Sequence, residues 1–370
     1  ALALASGVGP EAGIFTAIVA GFVISALGGS SVQIAGPTAA FATIVAGIVA
    51  KDGMDGLVIA TILAGIFLVL MGLCHFGSLI KFIPFTITTG FTSGIAVTIV
   101  IGQLKDFFGL TYPDGVKPIE TTEKFRAVVE NFSTINIDAL IVGAVSLAVL
   151  IIAPYIFKRI PGSLIAVIIG ILMVQFLPLK VSTIGNLYTI SNSLPSFHLP
   201  TVSFEVVQNA LPNAFTIAVL AAIESLLSCV VADGMINGKH RSDMELVAQG
   251  AGNIASALFG GIPATGAIAR TAANIKNGGR TPIAGIVHSV TLVIVLVVLM
   301  PYAGMIPMPT IAAILFIVAY NMCQWRTFVK LVKTAPKSDI IVLFASFILT
   351  VLFDLVVAIE IGMVLACLLF

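Results

Sequence analysis

The sequence predicts an all-α polytopic membrane protein built from two inverted repeats of seven helices. The chain of 370 residues is 59% hydrophobic and only 9% charged, whereas soluble domains carry about 25% charged residues. Apolar runs long enough to cross a bilayer recur along its whole length. Glycine and proline interrupt one of these runs in each half, at matching places. These three observations together define the expected fold class.

Composition also excludes several classes of function. The net charge of +1 and the lack of a basic tract argue against nucleic acid as a partner. The sequence contains no nucleophile elbow, Walker loop or HExxH motif, so we do not expect an enzyme. Histidines and cysteines occur singly and without metal-ligand spacing. We therefore predict neither a metal nor any other cofactor.

The first half, residues 1–180, is predicted to hold one seven-helix repeat whose first helix is largely missing. Its spans are residues 1–7, 12–27, 32–50, 57–73, 83–104, 139–157 and 161–177. The third span opens through Gly36-Pro37-Thr38. Since proline suits the first turn of a helix and disrupts its interior, we expect this helix to begin near Pro37.

The second repeat is predicted over residues 208–370, after an extracellular or periplasmic linker at 181–207. Its spans are residues 210–232, 246–258, 264–275, 283–300, 311–322, 340–352 and 356–370. An odd number of spans in each half places the halves in opposite orientations. Most loop lysines and arginines fall on the side of the termini, which predicts that both termini are cytoplasmic.

A short internal match supports the repeat. SALGG at 25–29 precedes the broken third span of the first half, and SALFGG at 256–261 precedes that of the second. A Thr-Ala-Ala sequence follows each of them, at 38–40 and at 271–273. Small-residue motifs recur by chance in membrane helices, but their equivalent positions in the two halves favour the predicted repeat.

The broken span of the second half predicts an anion site. In FGGIPATGAIARTAANIKNGGR, at 259–280, Gly260, Gly261 and Pro263 prevent a regular helix, whereas residues 267–275 have the composition to begin one. A helix that begins inside apolar sequence directs unpaired N–H groups and the positive end of its dipole into the interior. Such an N-terminus binds anions.

The broken span of the first half supplies the matching site, formed by Gln33, Gly36, Pro37 and Thr38. Two half-helix N-termini would then face each other near the midplane of the membrane. Each contributes about 0.3–2 kcal/mol to an anion. Together they predict moderate binding of a small oxyanion, which is the affinity that a transporter requires.

Charged residues within spans provide a second signal, because an ionised side chain near the bilayer centre costs at least about 2.5 kcal/mol. The candidates are Glu224, Arg270, Asp354 and Glu360. Asp354 stands at a break between two spans, which favours a capping role. Glu360 is as compatible with pairing to a neighbouring helix as with function.

Glu224 and Ser228 lie one helical turn apart on the same face of their span. Glu224 is either a permanently protonated carboxyl bonded to a neighbouring helix or, as we favour, a proton acceptor or cation ligand coupled to substrate. Arg270 follows the predicted helix start and supplies a fixed positive charge. It either faces the anion, or reaches toward one membrane face, or holds a carboxylate such as Glu224.

Four stretches carry a resemblance to the SulP anion-transporter (sulfate permease) family. They are ASGVGPEAGIFTA at 5–17, GGSSVQIAGPTAAF at 28–41, AAIESLLSCVVADGM at 221–235 and ELVAQGAGNIASALFGGIPATGAIARTAANIKNGGRTPIAGIVH at 245–288. The resemblance covers essentially the whole chain. The chain is similar to the transmembrane domain of a bacterial member without its STAS domain.

The resemblance implies a fourteen-helix UraA-like fold with core and gate domains, an elevator-like motion of the core and a homodimer in the lipid bilayer. It implies that the anion binds between the half-helices of spans three and ten. By this resemblance the anion-binding residues are Gly36, Pro37, Thr38 and Ala39 in the first half and Thr265, Gly266, Ala267, Ile268, Ala269 and Arg270 in the second. The coupling-ion position is carried onto Glu224 with Ser228.

The expected substrate is a small inorganic or carboxylate anion, with a proton or sodium as coupling ion. The glutamate of AIESLL resembles proton-coupled bacterial members that carry C4-dicarboxylates, whereas sodium-coupled bicarbonate members carry aspartate there. A C4-dicarboxylate or sulfate with protons is therefore expected before bicarbonate with sodium. The alternatives are a nucleobase permease and a passive anion channel. An intramembrane Arg270 argues against the nucleobase permease, and a titratable Glu224 argues against the channel.

Overall fold

The computed structural model describes residues 2–78, 85–113, 115–116, 118, 120–157, 160–200, 204–352 and 361, and these residues are mostly helical. The helices before residue 180 are α1 (Leu2–Ala5), α2 (Pro10–Leu27), α3 (Phe41–Leu73), α4 (Phe85–Phe108), α5 (Thr121–Glu130), α6 (Ile137–Ile156) and α7 (Gly162–Phe176). Those after it are α8 (Ile184–Leu187), α9 (Phe204–Ile236), α10 (Ser242–Leu258), α11 (Ile268–Lys276), α12 (Ile283–Ala303), α13 (Met308–Cys323), α14 (Trp325–Thr334) and α15 (Lys337–Leu352). Two short strands, β1 (Ala35–Gly36) and β2 (Thr265–Gly266), complete the elements that position the site.

Seven helical stretches of the described chain are long and apolar enough to cross a membrane. They are α2, α3, α4, α6, α9, α12 and the stretch Met308–Thr334, in which the apolar helix α13 is followed by α14. Other predicted spans correspond to the shorter helices α1, α7, α10, α11 and α15, which fall below the roughly 20 residues that cross a bilayer. Apart from residue 361, the predicted span at 356–370, with Glu360, lies outside the described residues, and so does Asp354.

The third and fourth predicted spans are the two arms of α3. The helix turns at Gly53, whose φ of 71° and ψ of −170° are not helical. Gly53 follows Lys51 and Asp52, which are exposed, and its positive φ is strained for residues with a side chain. The sequence therefore separates the two arms with a polar, glycine-centred corner.

The helical part of the third span begins at Phe41 rather than near Pro37, which corrects the sequence-based expectation. A helix that started at Pro37 would use the Pro37 carbonyl as acceptor for the Phe41 N–H. Instead, the Phe41 N–H bonds Thr38 O at 3.3 Å, and the Pro37 carbonyl accepts a hydrogen bond from Arg270. A contact with a distant part of the chain therefore delays the helix.

Two amphipathic helices, α5 and α14, were not anticipated from the sequence. α5 lies in the polar segment 105–138 and begins with a capping box between Glu120 and Glu123. α14 follows directly after α13, where Gln324 adopts a left-handed conformation with φ of 43°. Short helices outside the apolar spans leave little hydropathy signal, so a search for spans passes over them.

By internal packing the chain forms two compact units, and each draws on both halves of the sequence. One comprises Phe85–Ile190 with the chain from Met300, and the other Leu2–Pro84 with Ser191–Leu299. Both broken segments and α9 belong to the second unit. The repeat boundaries at 1–180 and 208–370 remain a prediction.

The second unit is held by close helix contacts. α10 packs against α2, α3 and α9. Small residues permit this approach: a side chain on Gly65 would lie 2.7 Å from Gly250 O, and one on Gly252 would lie 2.6 Å from a carbon of Ile24. Small residues at helix contacts are the usual means by which membrane helices approach closely.

Candidate anion-binding site

The two broken segments meet as an antiparallel pair of strands. Ala35 pairs with Gly266 and Gly36 with Thr265. One further bond, from Ala267 N to Ile34 O at 3.0 Å, continues the ladder. The backbone polar groups of extended chain must be bonded inside a membrane protein, and the strands satisfy each other there. The helix starts that follow β1 and β2 are thereby brought together, as the sequence predicts.

This pairing also corrects the internal match. The antiparallel register makes Thr38 equivalent to Ile268, since each lies two residues beyond its strand. The second Thr-Ala-Ala begins at Thr271, three residues further on. Thr271 lies inside α11, where its Oγ1 accepts a hydrogen bond from the Ile34 N–H at 3.1 Å. The two threonines therefore occupy different structural positions.

Neutral side chains bond the backbone that leads into β2. Asn253 Oδ1 accepts from the Ala264 N–H at 2.8 Å, and its Nδ2 donates to Ala264 O at 2.9 Å. The Ile262 N–H bonds Thr16 Oγ1 at 2.7 Å, and the Ile262 carbonyl accepts from Ser256 Oγ at 2.8 Å. Asn253 therefore acts as a strand neighbour would, with one donor and one acceptor for a single residue.

A buried carboxylate bonds the backbone that leads into β1. Glu245 of α10 is 0% exposed. Its Oε2 accepts from the N–H groups of Gly29 at 2.9 Å and Ser30 at 3.2 Å. Its Oε1 accepts from Gln33 Nε2 at 2.7 Å and Gln249 Nε2 at 2.9 Å. Four neutral donors thus surround one carboxylate, which has no lysine or arginine within 4.0 Å among the described residues.

The sequence analysis missed Glu245. It stands near the start of its helix beside Ser242 and Asp243, where acidic residues commonly stabilise the positive end of a helix. The sequence therefore gives it the appearance of an interfacial residue. The signal available was the apolar sequence that follows, since Glu245 and Gln249 share the face of α10 that continues to Asn253.

Gln33 lies beside the site with both ends of its amide already bonded. Besides the bond from its Nε2 to Glu245, its Oε1 accepts a hydrogen bond from Cys229 Sγ at 2.8 Å. Its side chain also packs against Gly266, where any added methyl group would collide with the amide. In this structure Gln33 therefore supports the strand pair, and contact with an anion remains a prediction for it.

Glu224 meets the first half-site directly. Thr38 Oγ1 donates a hydrogen bond to Glu224 Oε2 at 2.9 Å, and both side chains are partly exposed. One turn earlier on α9, the Ala221 carbonyl accepts from Thr265 Oγ1 at 3.0 Å, which fixes β2 against the same helix. The carboxyl group thus lies at the start of the first half-site, although 186 residues separate it from Thr38.

Ser228 lies one turn beyond Glu224 and is completely buried. Its Oγ donates to Thr271 Oγ1 at 3.3 Å, the same oxygen that accepts from the Ile34 N–H. Ser228 therefore links α9 to α11 and to the strand pair. Its predicted part in holding a coupling ion remains a prediction.

Arg270 joins the second half-site to the first. It lies in the first turn of α11, and its Nη2 donates to the Pro37 carbonyl. A side chain on Gly36 would lie 2.7 Å from Arg270 Nη1 and would displace the guanidinium, and the φ of 150° at Gly36 also favours glycine. Among the described residues no carboxylate lies within 4.0 Å of Arg270, so it does not hold Glu224.

The remaining predicted residues stand at the two helix starts. Thr271 N bonds Ala267 O, which leaves the N–H groups of Ile268, Ala269 and Arg270 ahead of the first bond of α11. Ile268 and Ala269 are exposed, whereas Ala267 and Ala39 are buried. A helix start with open N–H groups and a guanidinium beside it is suited to an oxyanion.

The chain has two discontinuous helices that meet inside a polytopic protein, with a fixed cation and a carboxyl group beside them. This arrangement is typical of membrane transport proteins with broken helices. The chain belongs to the sulfate permease family, whose sequence profile matches residues 1–346. It is therefore a multi-pass membrane protein of the SulP anion-transporter family, and its relatives are transporters rather than enzymes.

Curated relatives agree with this assignment. The chain is 42% identical to the putative sulfate transporter YvdB of Bacillus subtilis, over 99% of this chain and 69% of the relative. It is 32% identical to the bicarbonate transporter BicA of Picosynechococcus, over 99% of this chain and 66% of the relative. The chain thus spans about two thirds of the length of these proteins.

Solved structures confirm the predicted fold class of a 7+7 inverted-repeat, UraA-like transporter. The transmembrane domain of a cyanobacterial bicarbonate transporter, BicA, is 30% identical with a TM-score of 0.85, and the match covers 97% of this chain and 92% of that one. The structure of SLC26A9 has a TM-score of 0.89 at 20% identity, over 100% of this chain and 62% of that one, and shares the fold.

Proposed function

We propose that the chain is the membrane part of a secondary active transporter that moves a small oxyanion in symport with protons. Sulfate and C4-dicarboxylates are the first substrates to test. The name of the relative YvdB, a putative sulfate transporter, supports sulfate. The carboxyl group that contacts the first half-site belongs to Glu224, and a glutamate at this position resembles the proton-coupled members of the family. This supports protons as the coupling ion.

The observation that carries the proposal is that Arg270 has no carboxylate partner among the described residues. Its guanidinium donates to a backbone carbonyl and has no carboxylate within 4.0 Å among the described residues. A permanent cation in an apolar interior is costly unless an anion accompanies it. The open N–H groups at the start of α11 lie next to it. An oxyanion between them would supply the missing negative charge.

The coupling step is assigned to the carboxyl group of Glu224. When protonated, it can accept from Thr38 with one oxygen and carry its proton on the other. Loss of the proton would place a negative charge at the start of the first half-site, close to where the anion binds. Proton and anion would therefore bind together and leave together, which is symport.

Alternating access is proposed to be elevator-like. All the groups of the site belong to the compact unit Leu2–Pro84 with Ser191–Leu299, so the unit can carry a bound anion without dismantling the site. The homodimer and the bacterial inner membrane are proposed because the chain belongs to this family, and the cytoplasmic termini because most loop lysines and arginines fall on their side.

The decisive experiment is uptake of labelled sulfate, succinate and bicarbonate into proteoliposomes under separately imposed proton and sodium gradients. We expect accumulation of sulfate or succinate when the outside is acidic, and none when only sodium is applied. Downhill flux that neither gradient drives would contradict symport and favour a passive channel. Uptake of a neutral nucleobase in place of the anions would contradict the substrate class.

A second candidate is sodium-coupled bicarbonate symport. It is favoured by the solved transmembrane domain of the cyanobacterial bicarbonate transporter BicA, which is 30% identical over 97% of this chain. In this case Glu224 and Ser228 would hold sodium rather than a proton. Bicarbonate accumulation driven by the sodium gradient in the same experiment would select this alternative.

A further inference from the structure

The amphipathic helix α14 lies between two spans and is too short to cross a membrane. It comprises ten residues, Trp325–Thr334, and so is about 15 Å long. α13 ends at Cys323 and α15 begins at Lys337. The left-handed Gln324 ends the preceding helix and redirects the chain. A short helix at the end of two spans is expected at the membrane surface.

The side chains of α14 divide into three faces. Phe328 packs on α15, with its ring centroid 5.7 Å from that of Phe344 and 5.6 Å from that of Phe347. The next face exposes two apolar side chains, Trp325 and Val329. At about 100° per residue, these two lie within about 40° of each other on the helix. They form an apolar edge on which Trp325 remains 48% exposed and Val329 39% exposed.

The third face is cationic. Arg326, Lys330 and Lys333 are spaced i, i+4 and i+7, so they form one stripe directly beside the apolar edge. All three are exposed, and none has a carboxylate within 4.0 Å among the described residues. The sequence 325–338 contains no Asp or Glu at all. An exposed apolar edge with cations along one side matches the boundary between acyl chains and headgroups.

The other amphipathic helix shows that this pattern is specific to α14. α5 carries Glu123 and Glu130 as well as Lys124 and Arg126. Arg126 Nε bonds Glu130 Oε1 at 2.7 Å on the same helix. One pair of charges on α5 therefore compensates internally, whereas the three cations of α14 have no carboxylate within 4.0 Å among the described residues.

We propose that α14 is a binding surface for anionic phospholipids, in which Arg326, Lys330 and Lys333 contact headgroup phosphates while Trp325 and Val329 enter the acyl boundary. Each cation near an anionic membrane surface raises the affinity about fivefold. The proposal concerns lipid rather than the transported anion and does not depend on the transport function. It commits to the lipid headgroup, because one lipid supplies both a phosphate for the cations and acyl chains for the adjoining apolar edge.

The chain carries its own reporter, because Trp325 is its single tryptophan. The full chain is reconstituted into vesicles of equal parts phosphatidylglycerol and phosphatidylcholine. In one preparation the phosphatidylglycerol carries brominated acyl chains, and in the other the phosphatidylcholine does. Bromine quenches tryptophan on contact. We expect quenching at least about twofold stronger when the bromine is on phosphatidylglycerol.

The test variant is the triple substitution Arg326→Gln, Lys330→Gln and Lys333→Gln, which is expected to quench equally in both preparations. The matched control removes three exposed lysines elsewhere, by Lys51→Gln, Lys180→Gln and Lys239→Gln, and should keep the preference. In the unmodified chain, salt at about 1 M, which shortens the screening length to about 3 Å, should abolish the preference.

Equal quenching of the unmodified chain by the two brominated lipids would overturn the proposal. A preference that survives in the test variant would overturn the role of the three cations. Thermal melting in detergent checks that the test variant is folded. If it is not, the salt titration of the unmodified chain decides, since a preference that high salt leaves intact is not electrostatic.

Discussion

The two half-sites share a backbone design but differ in the side chains that serve it. Each has an extended dipeptide, β1 or β2, and a helix that starts shortly after it. The first half-site touches a titratable carboxyl group, through Thr38 and Glu224. The second carries a permanent cation, Arg270. The backbone geometry is thus common to both, whereas the capacity to bind charge and the capacity to exchange protons are divided between them.

The supports behind the half-sites differ in the same manner. The chain before β1 is bonded by the carboxylate of Glu245, and the chain before β2 by the neutral amide of Asn253. A carboxylate offers about four acceptor positions, which suits a turn that presents several N–H groups. An amide offers both donor and acceptor, which suits a single extended residue. Each support therefore matches the backbone that it holds.

The largest expected effect is on coupling. Glu224→Gln retains an acceptor for Thr38 but cannot release a proton, so we expect proton-driven accumulation to be abolished while anion binding is largely retained. Uptake into proteoliposomes and sulfate binding to the purified chain are the measurements. Glu205→Gln, which changes an exposed residue at the start of the same helix, should accumulate normally. Unchanged concentrative uptake by Glu224→Gln would remove the division of roles between the half-sites.

The next effect is on stability. Glu245→Ala leaves two backbone N–H groups and two side-chain amides without their acceptor in a buried place. We expect the free energy of unfolding to fall by about 5 kcal/mol, measured by thermal melting in detergent. Glu245→Gln keeps an acceptor oxygen and should lose less. A melting temperature for Glu245→Ala equal to that of the unmodified chain would show that the carboxylate does not hold the turn.

The matching substitution behind the second half-site should cost less. Asn253→Ala frees one backbone N–H and one carbonyl of Ala264, and we expect a loss of about 3 kcal/mol. Asn277 is the control, because its amide donates to Ala273 O at an exposed position. Asn277→Ala should change stability by no more than about 0.5 kcal/mol. If Asn253→Ala is more damaging than Glu245→Ala, the proposed difference between the supports is reversed.

The smallest effect concerns affinity at the second half-site. Arg270→Ala removes the fixed cation and should weaken sulfate binding by about 10- to 100-fold, as measured by calorimetry. Arg270→Lys keeps the charge but not the planar fork and should fall between. The control is Arg280→Ala, which removes an arginine beyond the end of α11 that bonds the carbonyls of Ile275 and Gly279. The sulfate affinity of this variant should be unchanged. Equal affinity of Arg270→Ala and the unmodified chain for a panel of oxyanions would contradict the anion role.

The sequence alone determined the fold class and where the chain is broken. Against apolar sequence, Gly36-Pro37 and Gly260 to Pro263 stand out because glycine and proline disfavour helices. Glu224 and Arg270 stand out in the same way, because charge is rare within spans. These signals are local, so they can be recognised without knowing which parts of the chain meet.

Tertiary structure decided how these local features are used. Three contacts that shape the site join residues more than 180 positions apart. They are the pairing of β1 with β2, the bond from Arg270 to Pro37 that delays the start of α3, and the bond between Thr38 and Glu224. Glu245 follows polar residues at a helix start, and only the packing of α10 against α2 and α3 buries it. Burial and hydrogen-bond partners depend on which helices pack together, and that is a property of the whole fold rather than of any one stretch of sequence.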